Sequence, residues 1–420
     1  MVGRITYGLD FGTTNSAISV FRDGRCTVLP VGHNGARTLR SVLFFPGEKG
    51  IVGVGDKAID GYLANNLRGR FFQSIKSVLP EKTFSGTRVP NFGLLSIEDL
   101  VSFVIAYLRS QANNLLGEDV DSVILGRPAR FSEDQESERI AEKRLLKAAE
   151  KAGFKNVRFQ LEPIAAAYHY EGFLKNEELV LVADFGGGTS DFTVMRLSPA
   201  KMNNPERSED ILGYAGIHVG GDSLDSEIMK AKLLKYFGAG SNYKSWDKWL
   251  PMPVHIMNDL CKWQHIAFLK NRRIKNTLEN ILWGSDDKEA ISRLISLIDN
   301  NLGFYLFESI ERAKIEMSDI PESRIVFSMS GIDISEEITV QEFHRIISGE
   351  IESINDAVNE TLLSAGVKTS DIDTVFLTGG TSLVPRIAGI FMDRFGAEKL
   401  KSIDSFTSVV SGLGMYARFF

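Results

Sequence analysis

Two short runs carry residue types suited to holding a polyphosphate. Asp10-Phe11-Gly12-Thr13-Thr14-Asn15-Ser16 returns later as Asp184-Phe185-Gly186-Gly187-Gly188-Thr189-Ser190. Each follows an apolar run of β type, and each sets a carboxylate just before a turn of small residues. Glycines in such a turn let backbone N–H groups approach phosphate oxygens with no Cβ in the way. The hydroxyls of Thr13, Thr14 and Thr189 add donors. Aspartates repel phosphate and make sense only across a cation. Mg2+ prefers oxygen ligands and keeps several of its waters, so Asp10 and Asp184 are expected at its hydration shell. One such turn alone is better explained as a glycine hairpin beside a structural aspartate. Two matched turns favour the two halves of a clamp. Asp-Phe-Gly also occurs in protein kinases, but the chain has no His-Arg-Asp, no Ala-Pro-Glu and no Val-Ala-Ile-Lys. It also lacks a Gly-x4-Gly-Lys-[Ser/Thr] loop, a His-Glu-x-x-His helix and a zinc-type cysteine pair.

These turns need strands and helices to hold them. Arg4 to Leu9 reads as a strand with Ala17 to Phe21 as its hairpin partner, and Leu179–Ala183 with Asp191–Met195 repeats the pattern. Ser96-Ile97-Glu98-Asp99 opens a helix, with serine capping free N–H groups and acids at the positive end. Leu100, Phe103, Val104 and Tyr107 mark its apolar face. Val123-Ile124-Leu125 is a buried strand. Ser132 to Lys151 reads as an amphipathic helix with Ser132 and Gln135 at capping-box spacing, and Pro163–Tyr170 begins another. Thr374–Leu377 is a strand followed by Gly379-Gly380-Thr381-Ser382 and a helix near Pro385, an arrangement that faces ligands. Ser411-Gly412-Leu413-Gly414 opens the last helix. Alternating strands and helices indicate a layered α/β architecture. From about Tyr236 to Leu302 the pattern turns helical, without strong strands, and holds all four tryptophans, Trp246, Trp249, Trp263 and Trp283. This stretch reads as an all-helical elaboration with the tryptophans in its core. The basic run Lys270–Lys275 reads as a solvated helix face.

The bulk numbers bound the function. At 420 residues and 43% hydrophobic content the chain suits two lobes better than one core. A net charge of −6 argues against a nucleic-acid partner. Cys26 and Cys261 lie too far apart in sequence for a metal motif, in keeping with a reducing compartment. A strand begins within five residues of the N-terminus, leaving no room for a signal peptide. No apolar run reaches the roughly 20 residues that span a bilayer. A cytoplasmic location is expected. The six histidines show no ligand spacing.

With these runs in hand, the chain resembles the nucleotide-binding domain of DnaK-type seventy-kilodalton heat-shock chaperones, within the actin-like ATPase superfamily. Six segments carry the likeness, in order: Gly8–Ser16, Leu161–Ala167, Asp184–Asp191, His218–Asp222, Glu311–Lys314 with Ser318, and Thr378–Ser382. The resemblance implies a two-lobed α/β fold of duplicated ribonuclease H-like domains. Residues 1–175 would form lobe I, with a smaller subdomain at about 38–95. Residues 176–420 would form lobe II, with a smaller subdomain at about 220–341 that includes the helical insertion at about 236–302. It further implies ATP or ADP with Mg2+, with Asp10 and Asp184 contacting the metal through water. Gly12, Thr13, Thr14, Asn15, Gly186, Gly187, Gly188, Thr189, Gly220 and Gly221 would surround the phosphates. Glu311, Lys314, Ser318, Gly379, Gly380 and Thr381 would surround ribose and base.

The same likeness puts Lys76 at the γ-phosphate and Glu162 beside an attacking water, with Asp10, Asp184 and Thr189 completing the catalytic set. Phosphoryl transfer needs positioning and charge neutralisation of this kind. Read alone, Lys76 fits a solvated surface lysine better than a catalytic one, and Glu162 fits a helix-start residue as well as a site residue. The chain also departs from the family. Ile315 and Leu383 stand where the family places arginines that sandwich the adenine, and Phe406, near Asp404, stands where an acid is usual. The chain stops at Phe420, before the family's peptide-binding domain, as in the short YegD-type relatives. The expectation is a slow ATPase acting as a nucleotide-driven chaperone-like switch, with a protein partner or co-chaperone and neither nucleic acid nor membrane. A small-molecule kinase on the same fold and a low-turnover nucleotide-binding module are the alternatives.

Overall fold

The computed structural model describes residues 5–47, 52–65, 68–84, 86–132, 134–171, 174–201, 204, 207–402 and 407–420. Arg4, Asp404 and Phe406 lie outside the described residues. The contacts divide the chain into two compact units. One comprises Met1–Gly220, Ser353–Leu383 and Ile387–Phe420, and the other Gly221–Glu352 with Val384–Arg386.

The first unit contains the same sheet twice. Tyr7–Phe11 is central in the first copy. It runs antiparallel to Asn15–Arg22, with Asp10 opposite Ala17, and parallel to Ser122–Arg127. Arg25–Val28 and Asn156–Leu161 extend the two sides. In the second copy Glu178–Phe185 is central. It pairs antiparallel with Ser190–Leu197 and parallel with Thr374–Thr378, and Ile211–Ile217 and Leu400–Ser402 complete the order. The central strands are close to continuously apolar because both of their faces are covered: Tyr7, Leu9 and Phe11 are buried, as are Val180–Ala183 and Phe185.

Two helices join the copies. Ile164 to Tyr168 on helix Glu162–Glu171, and Leu413 and Tyr416 on helix Ser408–Tyr416, share a core with Ile124 of the first sheet and Val180, Val182, Met195 and Phe376 of the second. The helices approach backbone to backbone, which only glycine permits. A Cβ at Gly412 would lie 1.6 Å from the Ala165 carbonyl oxygen, and one at Gly8 would lie 2.3 Å from the Gly414 nitrogen. Helices Ile97–Leu116 and Gln135–Lys151 bury Leu100, Val104, Leu108, Ala141 and Leu145 against the first copy.

The capping box at Ser96 is present. Ser96 Oγ accepts from the Asp99 N–H at 3.2 Å, and Asp99 Oδ2 accepts from the Ser96 N–H at 2.9 Å. At the next helix the expected cap is replaced: the helix starts at Gln135, and Asp134 caps it by accepting from the Ser137 N–H at 2.8 Å. Ser132 Oγ accepts from the Asp134 N–H instead. The last helix starts at Ser408, three positions before the expected Ser411.

In the second unit, helices Val254–Leu260, Trp263–Leu269, Arg272–Gly284 and Lys288–Asp299 make the expected helical insertion. It is not all helical. Asn242–Ser245 and Lys248–Pro251 form an antiparallel hairpin turning at Trp246, whose φ is 56°. Nor do the tryptophans form a core, since Trp246, Trp249 and Trp283 are exposed. No helix among the described residues is long and apolar enough to cross a membrane.

Candidate functional site

Each central strand delivers its aspartate to the start of a turn. Beyond Phe11 the chain doubles back so tightly that a Cβ at Gly12 would lie 2.1 Å from the Asn15 carbonyl oxygen. In the second turn the Gly186 N–H donates to the Thr189 carbonyl at 2.8 Å. Two further loops brace this turn. Ser190 Oγ donates to the Val219 carbonyl at 2.6 Å, and Gly220 lies so close to Gly187 that a Cβ would meet its carbonyl oxygen at 2.6 Å. Gly379, at a φ of 80°, abuts the Phe185 carbonyl, and Thr381 Oγ1 donates to the Gly186 carbonyl at 3.2 Å. The two turns face each other: a Cβ at Gly188 would meet the Thr13 methyl at 3.6 Å. Thr14, Asn15 and Thr189 are half-buried beside them.

Beneath the turns sits a lysine among carboxylates. Lys76 lies on the single helical turn Ile75–Val78, anchored by buried Ile75. Its ammonium donates to Glu162 Oε1 at 2.8 Å, both side chains being largely buried. Glu162 begins the helix Glu162–Glu171, and the missing side chain of Gly126 leaves it room. Asp10, Asp184 and Asp191 complete the group, half-buried yet strongly desolvated.

Desolvation, then the charge of Glu162, pushes Asp10 up to about 8 against the pull of Lys76. Desolvation, then Asp184 and Glu162, pushes Asp191 up to about 8. Asp184 is also raised by desolvation, opposed by a 2.6 Å hydrogen bond from Thr378 Oγ1 to its Oδ1. Desolvation would lower the lysine, but Glu162 and Asp10 outweigh it, and its affinity for the proton rises. Four carboxyl groups thus surround one ammonium, and without a further cation burial makes Asp10, Asp184 and Asp191 hold their protons more tightly than free carboxyls do.

Asp191 and Thr378 were missed as site residues. The register carried a signal: Asp191 lies opposite Asp184, where the first sheet sets Ala17 opposite Asp10. Thr378 lies opposite Asp184 on the other side through the parallel pairing.

The remaining expected residues divide between the units. Gly220, Gly379, Gly380, Thr381 and Leu383 belong to the first, and Gly221, Glu311, Lys314, Ile315 and Ser318 to the second. Lys314, buried on helix Gly303–Glu316, pairs with Asp225 at 2.8 Å and donates to the Gly221 carbonyl at 3.2 Å. Burial, with Glu311 and Asp222 adding to it against the pull of Lys314, lifts Asp225 to about 7. Ser318 closes the end of the helix, its N–H donating to the Ile315 carbonyl at 3.0 Å. Ile315 is 58% and Leu383 54% exposed, so each apolar side chain is turned to solvent.

Among the described residues no three His, Cys, Asp or Glu side chains are grouped to hold a metal directly. Clustered carboxyl groups beside glycine turns suit a hydrated dication, whose charge would favour their ionised form.

Two copies of one sheet, paired helices between them and an acid-bearing glycine turn on each copy make this the actin-like ATPase fold. The model of the Hsp70 protein family matches residues 6–244 and 298–419, leaving 245–297 between them unmatched. The chain belongs to the Hsp70 protein family. It is 27% identical to the chaperone protein DnaK of Deinococcus deserti, over 98% of this chain and 59% of that protein. The same identity and share of this chain hold for the DnaK of a Thermus thermophilus strain, over 60% of its length. They hold again for the dnaK of Cyanidioschyzon merolae, over 61% of its length. The chain therefore spans about 60% of the length of these curated relatives.

Proposed function

We propose that the protein is a Mg2+-dependent ATP-binding and slowly ATP-hydrolysing member of its family, acting as a nucleotide-driven switch of chaperone type. The observation that carries this reading is the meeting of two glycine turns over one lysine–carboxylate cluster. In it, the N–H groups and hydroxyls around Gly12–Asn15 and Gly186–Thr189 bind the phosphates. Asp10 and Asp184 would hold a Mg2+ ion through its waters, and the ion supplies charge neutralisation at the phosphate tail. Asp191 adds to the field that attracts it.

Glu162 orients water, and Lys76 both fixes the Glu162 rotamer and offers positive charge to the γ-phosphate. Thr189, within reach of Asp191 at 3.4 Å, lines the path of the attacking water.

Calorimetry with ATP, ADP, GTP and AMP, with and without Mg2+, tests the reading. It requires Mg2+-dependent binding of ADP and weak binding of AMP, because recognition led by phosphate loses most with the β-phosphate. Equal affinity for AMP and ADP contradicts it. A cytoplasmic location and a protein partner belong to the same proposal.

A further inference from the structure

The two copies of the sheet hold their aspartates differently. Asp10 and Asp184 occupy the same place, next to last on a central strand with an antiparallel partner on one side and a parallel partner on the other. On the antiparallel side Asp10 meets Ala17. On the parallel side Leu9 pairs with Leu125, which brings Asp10 beside Gly126. Neither neighbour carries a side-chain hydrogen-bond donor. Asp184 instead lies between Asp191 and Thr378. Thr378 Oγ1 donates to Asp184 Oδ1 at 2.6 Å, at the short end of the range for an O–H···O bond. The duplication thus supplies its own control: one aspartate has a hydroxyl donor beside it in the sheet, and its counterpart has none.

Thr378 has little freedom to do otherwise. It is 1% exposed, and a buried hydroxyl left without a partner is costly. Its β-branched side chain is stiff about χ1, and its backbone is pinned before and after it. Thr374–Thr378 is paired with Val180–Asp184 along its whole length. Beyond it, a Cβ at Gly379 would meet the Phe185 carbonyl oxygen at 2.0 Å, and Thr381 Oγ1 donates to the Gly186 carbonyl at 3.2 Å. Residues 378, 379 and 381 therefore touch residues 184, 185 and 186 in step, all within the first unit. The strand itself does not need the hydroxyl. Its neighbours Val375, Phe376 and Leu377 are apolar and buried, and valine suits a parallel strand covered on both faces.

We propose that Thr378 is a positioning residue for the metal: its hydroxyl holds the Asp184 carboxyl group in one orientation, with one oxygen engaged and the other left for a water of a hydrated Mg2+ ion. This inference rests on the Mg2+–nucleotide reading above. Groups that hydrogen-bond to a metal's ligands fix their orientation, and losing one commonly costs ten- to a hundredfold in metal affinity. Asp10 has no such donor in its sheet, so of the two aspartates Asp184 is the one set in place before the ion arrives.

The test is calorimetry of ADP binding to the full chain, with and without Mg2+. The readout is the ratio of the two affinities, in which any general loosening of the site cancels. Thr378→Val keeps the shape and removes the donor, and the ratio is expected to fall about tenfold, the low end for a group acting through a ligand that itself reaches the ion by way of water. Thr378→Ser keeps the donor and should restore most of the ratio. In an Asp184→Asn background the valine substitution should lower the ratio no further, because groups that act through one another are not additive. Thr378→Ala, also without the donor, carries the measurement if Thr378→Val does not fold. A serine variant as impaired as the valine one overturns the assignment, as does a full valine effect that persists beside Asp184→Asn. A wild type that responds to Mg2+ together with a Thr378→Val protein that responds equally removes Thr378 alone and leaves the Mg2+–nucleotide reading standing. A wild type that binds ADP no better with Mg2+ overturns both.

Discussion

Replacing Lys76 with alanine removes the one ammonium from a cluster of four carboxylates. Phosphate release is expected to fall about 10²-fold, the scale on which single charge-stabilising donors act in catalysis. Single-turnover release with wild type and Lys76→Ala measures this, and equal rates would remove Lys76 from the mechanism. Asp191 supports a prediction of the opposite sign for stability. Its folded-state pKa is raised from 3.8 to about 8. Between those values the folded state holds a proton that the unfolded state has lost, so stability is fully present at the low end and declines as pH rises through 8. Melting of the nucleotide-free protein should fall from pH 5 to 9, and Asp191→Asn should flatten that fall. At pH 8 the variant should gain on the order of 1 kcal/mol, a few degrees for a domain of this size. Parallel slopes for both proteins would contradict the assignment. Neither Lys76 nor Asp191 had a local signal strong enough to reveal its role. A lysine on a short turn reads as solvated surface, and the weight of Asp191 depends on acids that converge on it from other strands.

At the level of the elements, the crossing of the two central helices is the most sensitive point. Gly412→Ala would place a methyl group 1.6 Å from the Ala165 carbonyl oxygen, which backbone has to move to relieve. A loss of about 3 kcal/mol is expected, read as a lower midpoint in urea denaturation. A midpoint matching wild type would show that the helices separate at no cost. Ser96→Ala removes a complete capping box and should cost about 1 kcal/mol in the same measurement. The box was legible because serine and aspartate three apart act only on their own turn. Ser132 offered the same kind of signal, yet Asp134 stands nearer the helix start and takes the cap. The glycines of Ser411–Gly414 read as a helix opening, but Gly412 is bare for contact with Ala165 and Gly414 for contact with Ser19 and Cys26. No local pattern separates these two uses of glycine.

For the whole molecule the decisive quantity is linkage to the nucleotide. With ligand at about 100 times its dissociation constant, a folded state that binds it gains about 2.7 kcal/mol. MgADP and MgATP should therefore raise the melting temperature by several degrees and AMP by much less, and removing Mg2+ with a chelator should reverse most of the gain. An equal shift from all three nucleotides would place recognition on the base. The glycine turns, their preceding aspartates and the repeated strand order were readable along the chain. Glycine, threonine and acid after an apolar run have few local alternatives, and duplication removes most of those that remain. The charge around Lys76 was not readable, because Glu162 is 86 positions away (162 − 76) and Asp191 farther still; their mutual desolvation exists only after two sheets close on paired helices. The tryptophans make the same point from outside. Their apolar surface suggested a core, but Trp246 falls on a hairpin turn and Trp283 on a helix end, and whether such a side chain meets protein or water is settled by packing rather than by its chemistry.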